Sequence, residues 1–179
     1  MRHAFLMTLG LALLITLPSC NTTPQTANEK RALELEANDG IADFRRVRGL
    51  SEFFDGCVAY AILPAIGKGA VGIGAAHGNG VVYQKGSIVG FCTMTQTTIG
   101  LQLGGQKYRE LIFFQTEKAF GDFKRGEIEF SANASAVAVE AGKSTVADYE
   151  NGVAVFSMAV SGLMFEASIG GQDFEYSPN

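Results

Sequence analysis

The stretch AIGKGAVGIGAAHGNGVV, residues 65–82, contains glycines in pairs whose two members lie two residues apart. The pairs are Gly67/Gly69, Gly72/Gly74 and Gly78/Gly80. Successive side chains of a strand point to opposite faces, so each pair lies on one face of an extended chain. Because glycine has no side chain, another element can approach the backbone closely there. The stretch therefore predicts strands with a neighbouring element packed against their glycines.

The same residues contain a G-x-G-x-x-G sequence, from Gly67 to Gly72, which dinucleotide-binding loops also have. Such a loop leads into a helix and is followed by an acidic residue about twenty positions later. Here β-branched residues and glycines follow, and no Asp or Glu occurs between Gly56 and Glu110. The segment Gly142-Lys143-Ser144 is not a P-loop, because Val137 occupies the position of the first glycine. The sequence therefore predicts no nucleotide binding.

Apolar runs on both sides of this stretch predict a sheet. Residues 57–63 are continuously apolar up to Pro64, as in a strand buried on both faces. Tight turns are expected at Gly78-Asn79-Gly80 and at Gln84-Lys85-Gly86. The other strand-like segments are 69–77, 81–84, 87–95, 98–104, 111–114, 127–140, 152–160 and 163–169.

Three- and four-residue spacing of apolar residues predicts an amphipathic helix between Glu29 and Arg48. Asn38-Asp39-Gly40 is expected to break this helix in two, with Asp39 capping the second piece. Short helices are expected at 49–56 and from Thr116 to Phe123. The predicted fold class is α+β, an antiparallel-rich sheet or sandwich with N-terminal amphipathic helices and one short internal helix.

The chain begins like an exported protein. Arg2 and His3 precede an apolar run, residues 4–17, that is shorter than a transmembrane span. Leu17-Pro18-Ser19-Cys20 resembles the lipobox of bacterial lipoproteins. The resemblance implies cleavage before Cys20 and attachment of acyl chains, such as palmitate, to that cysteine. An ordinary secretory signal with an unrelated cysteine is the alternative.

The lipobox resemblance also implies a location and a domain plan. The residue after Cys20 is Asn21 and not the Asp of inner-membrane lipoproteins, which favours the periplasmic face of the outer membrane. We expect a signal peptide at 1–19, a lipidated tether at 20–28 and a single domain at 29–179. Without Arg2, the chain carries 13 basic and 18 acidic residues, which argues against a general nucleic-acid binder.

Basic residues cluster at the end of the predicted helix, where Arg45, Arg46 and Arg48 follow one another closely. One interpretation is that the apolar face of this helix packs on the domain and the arginines are solvated. The other is that the face lies on a membrane and the arginines contact anionic head groups.

The sequence predicts no catalytic, metal or cofactor site. His77 is the only histidine after the leader, and no nucleophile motif accompanies it. Cys57 and Cys92 lie in apolar runs without Cys or His at ligand spacing. Free thiols are expected there, with a disulfide between the two as the alternative for an exported chain. We predict that the protein is not an enzyme.

Four blocks of sequence, in order, are similar to the SYLF domain family over residues 29–176. The blocks are residues 62–82, 99–114, 130–138 and 151–171. The resemblance implies lipid binding through the N-terminal amphipathic helix and nearby basic residues, which are Arg45, Arg46, Arg48 and Lys68 in this sequence. Residues 95–98 and 107–110 depart from the family pattern.

The resemblance implies a membrane-anchored lipoprotein that binds anionic lipid through its basic helix. Eukaryotic SYLF proteins bind phosphoinositide membranes and, in yeast, actin, but an exported bacterial lipoprotein is not expected to meet actin. The alternative is a non-enzymatic structural or protein-interaction module of the envelope, attached to the membrane only through Cys20. An apolar ligand cavity inside the sheet is a third interpretation.

Overall fold

The computed structural model describes residues 23–24, 26–71, 73–99, 106–128, 130, 135–161 and 167–179. The predicted α+β class is confirmed in this part of the chain. The helices are α1 (Ala27–Arg45), α2 (Leu50–Gly56) and α3 (Glu117–Lys124). The strands are β1 (Ala59–Val71), β2 (Ile73–Gln84), β3 (Ser87–Ile99), β4 (Gln106–Phe114), β5 (Ser135–Ala138), β6 (Val153–Ser161), β7 (Ala167–Ser168) and β8 (Gln172–Pro178). The leader, Cys20 and Gly72 lie outside the described residues.

The described strands form one sheet in the order β7-β5-β6-β4-β1-β2-β3-β8, and not two stacked sheets. Neighbouring strands are antiparallel except for β5 and β6, which are parallel. The strands β7 and β8 lie at opposite edges, yet only residues 169–171 connect them. Four peptide steps span at most about 15 Å, so the sheet curls until its two edges approach each other.

The curled sheet has an apolar core on each face. On the concave face, side chains of β1, β3, β4 and β8 pack with Phe120 and Phe123 of α3. On the convex face, the buried residues of α1 and α2 pack against the alternate side chains of the same strands. Burial on both faces explains the continuous apolar run at the start of β1.

The helix α1 is continuous, so the predicted break at Asn38-Asp39-Gly40 is wrong. Its start is fixed by a capping box, in which Thr26 accepts a hydrogen bond from the Glu29 backbone and Glu29 accepts one from the Thr26 backbone. Gly40 is buried, and a Cβ there would lie 3.4 Å from Ile62 and 3.6 Å from Arg109. This glycine therefore serves the close contact of the helix with β1 and β4.

The predicted turn at Gly78-Asn79-Gly80 is also wrong, because these residues lie within β2. The chain reverses next to Gly72, where Val71 pairs with Ile73. The strand β1 also continues through Pro64. Its register with β2 shifts between Ile62 and Ala65, and a proline is tolerated at such a bulge.

The glycines of β2 lie close to neighbouring strands. A Cβ on Gly80 would lie 2.8 Å from both the Ile62 carbonyl oxygen and Cys92 Sγ, and one on Gly78 would lie 2.9 Å from the Ala65 carbonyl oxygen. By contrast, no atom lies within 4 Å of the position of a Cβ on Gly67. Gly69 lies on β1 and Gly74 on β2.

Several local predictions are confirmed. The β2–β3 turn has positive φ at Lys85 and Gly86, as a two-residue hairpin requires. Thr116 caps α3 by accepting a hydrogen bond from the Ala119 backbone, and Gly126 follows the helix with a φ of +69°. The strand β8 was not expected from the sequence.

Candidate functional site

Four exposed basic residues lie at the C-terminal end of α1, just after it, or in a loop bonded to that segment. We call them the basic patch: Arg45, Arg46, Arg48 and Lys143. Lys143 joins the arginines because its loop is bonded to the backbone that follows α1. The Arg48 amide donates to the Lys143 carbonyl (2.9 Å), and the Gly142 amide donates to the Arg46 carbonyl (3.0 Å). In the sequence, Lys143 lies 95 residues after Arg48, and no local signal links it to the arginines.

Three of the four cations have a neighbour that holds the side chain. The Arg45 guanidinium lies 4.2 Å from the ring centroid of Phe54, at cation–π distance. Arg46 pairs with Asp43, and Lys143 lies 3.5 Å from Glu140. Among the ion pairs of the described residues, none involves Arg48. Since the Arg46 side chain is still 64% exposed, it remains accessible to a charged surface.

Asp43 connects the basic patch to the sheet. Its carboxylate pairs with Arg46 on α1 and with Arg109 on β4. Asp43 and Arg109 are each 22% exposed, so this pair is more shielded from solvent than the pair with Arg46. One carboxylate therefore both fixes the end of α1 on the sheet and lowers the net charge of the patch.

The apolar face of α1 packs against the sheet inside the protein. Leu33, Ala37, Ile41 and Phe44 are buried against the sheet, which confirms the packing interpretation for these residues. The helix itself is not basic along its length, because it carries five acidic side chains and three basic ones. Positive charge is concentrated at its C-terminal end.

Lys68 lies apart from the arginines. Burial raises the pKa of the Tyr60 phenol. The positive charge of Arg45 partly offsets this rise, so Arg45 lies near Tyr60. Lys68 is eight residues further along β1 than Tyr60, which corresponds to roughly 26 Å of strand. The backbone of Lys68 therefore lies well along β1 from the end where Arg45 is found.

A second polar group lies inside the concave core. Glu110, Gln96, Ser157 and Gln172 are all buried there. Burial raises the pKa of Glu110 from 4.5 to about 7, and a hydrogen bond from Gln172 partly offsets this rise. No local pattern in the sequence singles out Glu110, because its partner is 62 residues away.

The remaining chemistry-bearing residues form no site within the described part of the chain. Cys57 and Cys92 are free thiols, and burial raises the pKa of Cys92 to about 12. His77 is exposed on β2. In the ranges given above, no cluster of His, Cys, Asp and Glu is suited to a metal ion, and no helix is long and apolar enough to cross a membrane.

Comparison with known families bears on the C-terminal half of this fold. Residues 95–176, which include β4, α3, β5 and β6, match the family model Ysc84, described as Las17-binding protein actin regulator. This segment is therefore similar to the SYLF (Ysc84) domain family, as the sequence blocks predicted. The SYLF family is a lipid-binding family whose yeast members bind actin. The glycine-rich block at 62–82 precedes the matched segment.

A bacterial relative supports the same assignment over more of the chain. The chain is 25% identical over 158 residues to Beta cell expansion factor A of Aeromonas veronii. The alignment covers 84% of this chain and 59% of the relative, so the chain spans about three-fifths of the length of that protein.

Proposed function

We propose that this protein is a non-enzymatic lipid-binding protein of the bacterial envelope, anchored by acyl chains on Cys20, that contacts anionic lipid through the basic patch. The observation that carries this proposal is that Arg45, Arg46, Arg48 and Lys143 are all exposed and that backbone hydrogen bonds join the Lys143 loop to the chain that follows α1. Each Lys or Arg near an anionic membrane contributes about 1 kcal/mol of binding free energy. Four such side chains are enough for reversible, salt-sensitive attachment.

The mode of contact follows from the packing of α1. Its apolar face is buried, so the patch would act at the level of the head groups and not by inserting this face into the acyl region. The anchor would lie near the other end of the helix. Thr23 is buried and hydrogen-bonded to Thr93 at 2.9 Å, and only two residues separate Thr23 from Cys20.

Anchor and patch would then hold α1 along the membrane. Nineteen helical residues span about 28 Å between them. Three peptide steps would allow an acylated Cys20 to be at most about 11 Å from Thr23. Both ends of α1 reach one bilayer only if the helix axis lies close to the membrane plane.

Flotation with liposomes tests the proposal. The chain from Asn21 onwards, which retains all described contacts, is mixed with vesicles of phosphatidylcholine alone or with phosphatidylglycerol added. We expect flotation only with the anionic vesicles, and loss of flotation at high salt. Replacing Arg46, Arg48 and Lys143 with Gln should weaken binding about tenfold to a hundredfold.

The control variant removes the same charge elsewhere. Arg31, Lys85 and Lys107 are exposed and lie outside the basic patch, and replacing them with Gln should change binding much less. If both variants lose the same amount of binding to anionic vesicles, binding depends only on the overall charge of the protein. If the unmodified chain does not float with anionic vesicles, the acyl chains are the only membrane contact and the domain serves another partner.

A further inference from the structure

A buried polar cluster crosses the concave core and joins the start of β8 to the middle of the sheet. Its four residues lie on β3, β4, β6 and β8: Gln96, Glu110, Ser157 and Gln172. The two glutamines are opposite each other in the β3–β8 pairing, and Glu110 is opposite Ser157 in the β4–β6 pairing. A hydrogen bond of 3.1 Å from Gln172 Nε2 to Glu110 Oε2 joins the two pairs. None of the four residues is more than 4% exposed, so their polar atoms depend on one another and on the backbone for hydrogen bonds.

The oxygen atoms of this cluster outnumber the hydrogen-bond donors. Glu110 Oε1, Ser157 Oγ and Gln172 Oε1 are buried and have no hydrogen-bond partner among the described residues. An ionised carboxylate and an amide oxygen can only accept, so the Ser157 hydroxyl is the one donor that these three atoms provide. A proton on Glu110 adds a second donor. The cluster therefore satisfies more of its hydrogen bonds when Glu110 is a neutral carboxylic acid.

The groups that face Glu110 supply no positive charge. Its titratable neighbours are Cys92 on β3 and Tyr108 on β4, and ionisation of either one adds negative charge. The strands β6 and β8 contribute Ser157 and Gln172, and the side chains that β1, β2, β5 and α3 contribute to this core are apolar. Among the ion pairs of the described residues, none involves Glu110. Burial therefore dominates and raises the pKa of Glu110 to about 7.

The two sides of the Glu110–Gln172 bond differ in how easily they can move. The strand β4, which carries Glu110, is hydrogen-bonded to β1 on one side and to β6 on the other. By contrast, β8 pairs with β3 alone among the described strands, and Gln172 is its first residue. A bond of 2.9 Å from Gln96 Nε2 to the Gly170 carbonyl attaches the connection before β8 to the sheet. This connection and the start of β8 should therefore open at a lower free energy than β4.

We propose that the buried polar cluster is a pH-sensitive latch for residues 169–173, which we call the edge segment. While Glu110 carries a proton, the edge segment stays on the sheet. When Glu110 ionises, the edge segment opens and water reaches the carboxylate.

Rising pH favours the open form, because the closed form holds the proton of Glu110 more tightly. The carboxyl titrates near 7 when it is buried and near 4.5 when it is solvated. The opening equilibrium constant should therefore increase by up to about seventyfold between pH 5 and pH 8. The latch involves no residue of the basic patch, so it does not rest on lipid binding.

Amide hydrogen exchange of the protein, followed by NMR at pH 5, 6.5 and 8, tests the proposal. The reporter is the Gln172 amide, which donates to the Ile169 carbonyl at 3.2 Å inside the edge segment. After correction for the intrinsic rate at each pH, its opening constant should rise about tenfold to seventyfold from pH 5 to pH 8. Low concentrations of urea should not change this constant, because local opening exposes little surface. Amides of residues 111–113, which exchange on global unfolding, should respond to urea.

Two results would overturn the proposal. One is an opening constant of the Gln172 amide that does not rise with pH. The other is an opening constant and a urea dependence equal to those of residues 111–113, because the edge segment would then open only when the whole domain unfolds.

Two carboxyl variants separate the latch from a general effect of charge. Glu110→Gln keeps a hydrogen-bonding side chain that cannot ionise, so the Gln172 opening constant should change less than about twofold between pH 5 and pH 8. Glu175→Gln removes the same charge from an exposed position on β8 and should keep the full pH dependence. Equal pH dependence in the two variants would contradict the proposal.

A measurement on the unmodified protein keeps the test decisive even if Glu110→Gln does not fold. The chemical shift of the Glu110 carboxyl carbon is followed by NMR from pH 4 to pH 9. We expect the carboxyl to titrate near pH 7 and the rise in the Gln172 opening constant to level off at the same pH. Titration near pH 4.5 would show that the latch is wrong. Since no vesicle is present, this failure is distinguishable from failure of the basic patch to bind membranes.

Discussion

The side-chain amide of Gln172 donates a hydrogen bond of 3.1 Å to the carboxylate of Glu110, across the concave side of the sheet. The two residues belong to β8 and β4, and three other strands lie between these in the sheet order. Both side chains are buried. This bond can form only because the sheet curls, so it ties the edge strand β8 to the middle of the sheet.

Glu110→Gln should make the protein more stable at and above pH 7. The carboxyl titrates near 4.5 when unfolded and near 7 when folded, so the unfolded chain loses its proton first as pH rises. The contribution of Glu110 to the free energy of unfolding is therefore largest below pH 4.5 and falls between pH 4.5 and 7. We expect the variant to gain roughly 3 kcal/mol of unfolding free energy at pH 8 and little at pH 4.

Urea unfolding of both proteins at pH 4, 6 and 8 measures this difference. Glu127→Gln is the control, because that carboxylate is exposed and forms a surface pair with Arg125. If Glu110→Gln raises the unfolding free energy by the same amount at all three pH values, the carboxyl does not titrate in this range.

Gly80→Ala should destabilise the fold, and Gly67→Ala should not. A methyl group on Gly80 would lie 2.8 Å from a backbone oxygen of β1, which cannot move without distorting the sheet. We expect a loss of about 1–3 kcal/mol for Gly80→Ala and a change within about 1 kcal/mol for Gly67→Ala. Thermal unfolding measures the stability of both variants. If the two substitutions lower the stability equally, the close approach of β1 to Gly80 is contradicted.

Asp43→Asn should tighten binding to anionic vesicles while lowering stability. The change releases Arg46 within the basic patch and leaves the half-buried Arg109 without its ionic partner. We expect affinity to rise up to about fivefold and the unfolding free energy to fall by about 1–3 kcal/mol. Asp39→Asn, an exposed site four residues earlier on α1, is the control for net charge. A similar gain in affinity for both variants would argue against a specific role of Asp43.

The two cysteines should differ in reactivity toward a thiol reagent. Burial raises the pKa of both thiols, and Cys92 is fully buried with a pKa of about 12. Only the thiolate reacts, so at pH 8 we expect slow labelling of Cys57 and labelling of Cys92 only on unfolding. Mass spectrometry of the labelled chain from Asn21 gives both rates. Labelling of neither cysteine after unfolding would indicate a disulfide.

Local signals in the sequence predicted those features that depend on a few adjacent residues. The Lys85-Gly86 turn, the Thr116 cap and the apolar face of α1 were all predicted correctly, because turn geometry, capping and helical periodicity are properties of short segments. The order of four sequence blocks also predicted the similarity to the SYLF family, which the family model matches over residues 95–176.

Glycines show where local reasoning is insufficient. Gly40 was interpreted as a helix break, and Gly78 both as part of a tight turn and as a strand glycine with a close neighbour, but Gly40 lies inside α1 and Gly78 inside β2. A glycine required by a turn and a glycine required by a close neighbour look the same in the sequence. Only the packing of α1 on β1 and β4, and of β2 on the bulge of β1, distinguishes them.

The sequence by itself determined the fold class, the resemblance to the SYLF family and the arginine cluster at the end of α1. Tertiary structure alone decided that the Lys143 loop joins this cluster and that Glu110 meets Gln172. Each of these relationships joins residues far apart in the chain. The curl of the sheet and the docking of loops onto helices set such distances, and no local periodicity encodes them.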